Sequence, residues 1–191
     1  MSEAKKNNLL KLVLSAMFLA LGLVLPFLTG QIKEIGNMLL PMHIPVMLCG
    51  LVCGWQYGLI VGAIVPIMRS ALFGMPVMFP SAIGMAFELA TYGFVIGYLF
   101  SHAKWKCIKS LYRCLLMAMV CGRVVWGIVQ CFLLGLGGNG FTLSMFLSGA
   151  ILKAVPGIIL QLVLIPAVML ILGKTHLVHF KSGKCKAQSA K

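Results

Sequence analysis

Polar and charged positions are gathered into short clusters along the chain, and the stretches between them are almost uniformly apolar. Apolar runs occupy residues 9–28, 39–53, 57–74, 82–101, 114–135 and 142–173, separated by glycine, proline or charge. About 20 apolar residues is the length at which an α-helix crosses a hydrocarbon core about 30 Å thick. A spanning segment must bond its own backbone polar groups, which helices do within themselves. The pattern therefore predicts an all-α integral membrane protein with six transmembrane helices.

The second and third runs are the ambiguous pair. Residues 39–74 read either as one long helix or as two short ones divided at Gly54-Trp55-Gln56-Tyr57-Gly58. Charge parity decides between them. Lys5, Lys6 and Lys11 lie at the start of the first run, Lys104, Lys106, Lys109 and Arg113 fill an internal loop, and Lys174, Lys181, Lys184, Lys186 and Lys191 form the tail. Cytoplasmic loops carry the excess of Lys and Arg, so all three clusters belong on one side. Only an even number of crossings between the first two clusters permits that, and two helices are expected over 39–74. The second is short, about 15 residues or roughly 22 Å, and is expected to be tilted or only partly inserted. Trp55, Tyr57, Tyr98 and Trp105 suit a cytoplasmic interfacial belt.

Composition agrees. Of 191 residues, 61% are hydrophobic and 10% charged, with a mean hydropathy of +1.03, against roughly 25% charged in soluble chains. The length leaves no room for a separate soluble catalytic domain. Sixteen Lys and Arg against three Asp and Glu give a formal charge of +13, but its placement at loop ends makes it an orientation signal and leaves nucleic acid unnecessary as a partner. The expected organisation is a cytoplasmic N-terminus over 1–8, one membrane domain over 9–173 and a basic cytoplasmic tail over 174–191. The first run has no small-residue cleavage site after it, so it is read as a helix rather than a signal peptide. Cys49 and Cys53 are one turn apart with no His or carboxylate on that turn, which makes them small apolar filler, and the 13 Met are adaptable packing.

Four ionisable residues fall within the apolar runs or at their outer ends: Arg69, Glu88, Arg123 and Lys153. A charge at a helix centre costs at least about 2.5 to 3.5 kcal/mol unless it finds a partner, water or ligand. With the N-terminus inside, Glu88 lies about 10 Å below the outer end of its span, Arg123 about 18 Å and Lys153 about 16 Å, with Arg69 near its own outer end. All four can share the outer half of the membrane. Three cations against one anion leave a positive surplus that a bound carboxylate or other anion would balance. Arg123 shares a helical face with Trp126, Gly127 and Gln130, and Gly84, Glu88 and Tyr92 stack likewise, which are ingredients of a small polar-ligand site. Outer segments 29–43, 73–80 and 135–141 are poor in charge and placed to cover it, and Asn139 in the last joins the candidate contacts. Pro66, Pro156 and Pro166 are expected to kink their helices.

Ala16-Met17-Phe18-Leu19-Ala20, the stretch from Pro41-Met42-His43-Ile44-Pro45-Val46 through Gly50, Gly54, Gly58 and Gly62, and Arg69-Ser70-Ala71-Leu72-Phe73-Gly74-Met75-Pro76 followed by Ala86-Phe87-Glu88-Leu89-Ala90-Thr91-Tyr92-Gly93 resemble one family. It is that of the substrate-binding S components of energy-coupling factor (ECF) vitamin transporters, and the resemblance covers roughly residues 9–173. It implies that the chain captures a water-soluble vitamin from outside, then docks through Ala16 and Ala20 on a transmembrane coupling subunit carried by two ATPases. It implies further that the chain topples in the bilayer of the cell membrane to release the ligand. No cofactor is implied for the chain itself, ATP being used by the partners, and no Walker-type loop is present in the sequence. Pantothenate is the vitamin this branch most resembles, with another B vitamin as the other possibility. Glu88 would then accept hydrogen bonds from ligand hydroxyls while Arg123 or Lys153 takes a carboxylate.

The alternative is a stand-alone secondary transporter of a small anionic metabolite, for which Glu88 is the one intramembrane carboxylate to supply an ion site and no inverted repeat is found. An intramembrane enzyme is not expected. Gly-x-Ser-x-Gly, His-Glu-x-x-His and paired aspartates are missing, and His43, His102, His176 and His179 are read as lying in loops or at helix ends.

Overall fold

The computed structural model describes residues 3–28, 41–103, 108–136 and 155–174, and every regular element among them is helical. In chain order these are α1 (Glu3–Leu28), α2 (His43–Cys53), α3 (Trp55–Phe73), α4 (Ile83–His102), α5 (Ile108–Leu136) and α6 (Val155–Lys174), with one wide turn, Met78–Ala82, leading into α4. Six helices match the six apolar runs. Four segments are long and apolar enough to cross a membrane: Lys5–Phe27, Trp55–Phe73, Met78–His102 and Ile108–Gly135. The other two apolar helices are shorter, His43–Cys53 and Gly157–Gly173. At 11 residues, α2 is about 16 Å long, roughly half a hydrocarbon core.

Glycine decides where two of these helices stop. Gly54, with φ 106°, separates α2 from α3 within the span that the sequence left ambiguous. Only a residue without Cβ takes that conformation readily. Gly74, with φ 67°, ends α3, and its N–H donates to the Ser70 carbonyl at 2.9 Å, closing the last turn in the left-handed cap. Pro66 and Pro166 lie inside α3 and α6 as expected. Pro156 lies next to residues outside the described ones.

The contacts between helices establish their directions. Gly22 meets Val65 and Leu23 meets Arg69, so α1 and α3 run parallel. Gly58 meets Gly93 and Gly62 meets Leu89, so α3 and α4 are antiparallel. Gly122 meets Tyr92 and Gln130 meets Gly84, so α4 and α5 are antiparallel, while α2 runs alongside α4 with Gly50 against Gly93. Consequently the starts of α1 and α5, with Lys5, Lys6, Lys11, Lys109 and Arg113, lie at one end of the bundle.

A seam of glycines draws α2, α3 and α4 together. A Cβ on Gly93 would strike the Gly58 carbonyl, one on Gly50 would sit 2.6 Å from the Gly93 oxygen, and one on Gly97 would sit 2.7 Å from the Trp55 backbone. Small residues permit this close backbone approach, a main source of helix association where the surroundings are as apolar as the side chains. Val46, Met47, Leu89, Ile96, Leu111 and Leu115 fill the interior. The outward stripe of α5, Leu116, Val120, Val124, Ile128 and Phe132, is equally apolar and exposed. The inside of this bundle is marked by its few polar residues and its glycines, since apolarity is common to both faces.

Candidate substrate-binding site

The polar interior is built on the first turns of α4. Gly84, Glu88 and Tyr92 recur every four residues and lie on one buried stripe facing α5 and α2. Glu88 is only 2% exposed. Its Oε1 accepts a hydrogen bond from the Tyr92 hydroxyl at 3.0 Å and faces Arg123 Nη1 at 3.1 Å. His43 Nε2 stands 3.7 Å from the same oxygen, beyond hydrogen-bond reach. The Tyr92 ring seats on Gly122, where a Cβ would come within 2.5 Å of Cε1, and tilts against the His43 ring at 5.2 Å between centroids. Three helices thus converge on one carboxylate oxygen. Two ions taken out of water hold their charge only with such pairing.

Among the described residues, several buried polar atoms around this carboxylate have no hydrogen-bond partner: both ring nitrogens of His43, Nε of Arg123 and Oε1 of Gln130. Gln130 lies over Gly84, its Nε2 3.0 Å from where a Cβ would stand. It is one turn of α4 beyond Glu88. A further orphan, Nε2 of Gln161, belongs to α6, on the buried stripe that continues through Ile165 and Met169. Each unmade hydrogen bond of this kind costs about 1 to 3 kcal/mol. Such atoms mark a place that a polar ligand or water completes.

The structure brings together Glu88, Tyr92 and Arg123 of the sequence-derived candidates. Trp126 is half-buried on α5, three residues along from Arg123. Arg69 joins a different network. Its Nε donates to the Met75 carbonyl at 3.1 Å, its Nη1 to the Leu23 carbonyl at 3.2 Å, and its guanidinium lies 5.4 Å from the Phe27 ring centroid. There it ties the end of α1 to the segment after α3. Asn139 and Lys153 lie outside the described residues.

Two buried polar residues go beyond the sequence reading. His43 stands at a helix end as expected, opening α2, but it is buried, at 1% exposed. The apolar neighbours Met42 and Ile44 were the available signal. Gln161, 2% exposed, is the lone polar side chain over 157–171, a pattern that could have singled it out.

On α1, Ala16 and Ala20 are exposed, on the face that also presents Leu12, Val13, Met17 and Val24. They therefore pack against no other helix of this chain among the described residues. Cys49 and Cys53 are buried in the core with free thiols.

Comparison with curated proteins and with solved structures gave no match. The family model of the ECF transporter substrate-specific component matches residues 10–169. With that match across most of the helical bundle, the chain belongs to the family of substrate-specific components of ECF transporters.

Proposed function

We propose that this chain is the substrate-capture component of an ATP-driven vitamin importer, resident in the cell membrane as a multi-pass protein with six membrane helices and both termini cytoplasmic. It takes a small water-soluble B vitamin, pantothenate being the candidate, from the outer side and hands it to a coupling subunit driven by two ATPases. The chain performs no chemistry of its own and carries no cofactor. The observation that carries this reading is the buried polar cluster of His43, Glu88, Tyr92 and Arg123, with its unpartnered atoms, inside a bundle of the substrate-specific family. Apolar helices have no reason to enclose such groups unless a polar ligand or a structural role requires them. The shared placement of the N-terminal and 108–113 basic residues at one end of the bundle supports a cytoplasmic assignment for that end. Trp126, Asn139 and Lys153 complete the proposed ligand contacts. Arg69 belongs to their surround, bracing the segment that follows α3. The exposed Ala16 and Ala20 form the proposed face for the coupling subunit.

Mass spectrometry of the small molecule that co-purifies with the protein is the direct test, and a B vitamin at near-stoichiometric amount is expected. Ion-gradient-driven uptake in cells lacking the coupling subunit and the ATPases would overturn the reading in favour of a self-sufficient transporter.

A further inference from the structure

Glu88 and Arg123 are bonded to each other at 3.1 Å, so the one described cation in the cluster already has its counter-ion. Arg69, which by charge counting would add a second, is turned to the carbonyls of Leu23 and Met75. Among the described residues the Arg123 charge is therefore already balanced by Glu88, and what the guanidinium keeps is an unmatched Nε N–H. A carboxylate placed against Arg123 would sit beside Glu88, and like charges at such distances repel strongly in a poorly screened interior.

What the cluster offers instead is neutral hydrogen bonding. Both ring nitrogens of His43 are buried and without a hydrogen-bond partner among the described residues, and Gln130 presents an unmatched carbonyl oxygen. His43 is 1% exposed and Gln130 7%, so neither is served by bulk water. Along α5, Gln130 is seven residues from Arg123, about 10 Å.

Resting on the vitamin-capture reading, we propose that His43 and Gln130 are the residues that read the ligand in this part of the site, and that they read an uncharged donor-and-acceptor group, an amide or hydroxyl. The Glu88–Arg123 pair is an internal scaffold that holds Tyr92 and the helices in register and does not select for ligand charge. Any carboxylate on the ligand is bound away from Arg123. This replaces the sequence-derived expectation that Arg123 takes the acid.

The test uses the full-length protein in lipid nanodiscs with matched probes: pantothenate and pantothenyl alcohol, nicotinate and nicotinamide, biotin and biotin amide. Affinity is measured by titration calorimetry for wild type, for Glu88→Gln/Arg123→Gln together, and for His43→Ala and Gln130→Ala. For whichever pair binds, the ratio of acid to neutral affinity is expected to stay within about threefold between wild type and the double variant. His43→Ala and Gln130→Ala are expected to weaken both members of that pair by tenfold or more, in equal proportion. A tenfold or larger collapse of the ratio in the double variant assigns the carboxylate to Arg123 and overturns the proposal. Should the double variant fail to fold, the His43 and Gln130 variants decide alone: unchanged affinity in both overturns it. No binding of these probes to wild type, together with no B vitamin among the small molecules that co-purify with it, defeats the vitamin-capture reading itself, and this inference with it.

Discussion

Arg123→Gln isolates what the buried ion pair contributes. The substitution removes the cation 3.1 Å from Glu88 Oε1 and leaves a carboxylate that is 3% exposed at its side chain with one hydrogen bond, from Tyr92 at 3.0 Å. At 3.1 Å, Coulomb attraction with an effective dielectric near 20 is about 5 kcal/mol. Some of that is offset, because the Arg123 side chain is 16% exposed and its removal also relieves its own desolvation. A net loss of about 3 to 4 kcal/mol follows, near the lower end of the range for breaking buried pairs. For a chain of this length it corresponds to a fall in Tm of about 6 to 16 °C. Glu88→Gln on top of Arg123→Gln removes the stranded charge, and at least half of the lost Tm is expected to return. Differential scanning fluorimetry of the four proteins in the same detergent reads this cycle. The reasoning fails if Arg123→Gln costs less than about 2 °C, or if the double variant is no more stable than the single one.

Three further outcomes follow from the packing. Gly93→Ala drives a Cβ into the Gly58 carbonyl and forces α3 from α4; a loss of about 1 to 3 kcal/mol or more is expected in thermal unfolding, and an unshifted Tm would mean the helices are not that close. Gly122→Ala places a Cβ 2.5 Å from Tyr92 Cε1 and displaces the ring that supports Glu88; ligand affinity is expected to fall at least tenfold in titration, and wild-type affinity would detach Tyr92 from the site. Ala16→Leu with Ala20→Leu adds bulk to an exposed face, so cellular uptake is expected to vanish while ligand binding by the isolated chain stays intact. Loss of both would show that these alanines support the bundle itself.

Much of the fold was legible because a bilayer imposes simple constraints. The six helices among the described residues follow the apolar runs, and charge parity requires the division that Gly54, with φ 106°, makes between α2 and α3. Depth counted at about 1.5 Å per residue puts Glu88, Arg123 and Lys153 in one half of the membrane, but the packing of α4 on α5 is what brings Arg123 to Glu88. Arg69 shows where counting stops. Its depth allowed it to join Glu88, but depth says nothing of the direction in which a side chain leaves its helix, and the Leu23 and Met75 carbonyls were nearer at hand. His43 shows the same boundary from the other side. Its place at a helix end is legible, but only the parallel packing of α2 on α4 carries it beside Glu88 and Tyr92.

The amino-acid sequence by itself determined the solvent, the helices and the stock of polar groups placed among apolar ones, since each depends on local composition and on the high cost of charge in hydrocarbon. Which of those groups meet was decided only by tertiary structure. Close backbone contacts at Gly50, Gly58, Gly93 and Gly122 draw α2, α3, α4 and α5 together, so that Arg123 meets Glu88 and His43 stands beside them. Interhelical register of that kind is a property of several helices at once, with no trace in any one of them.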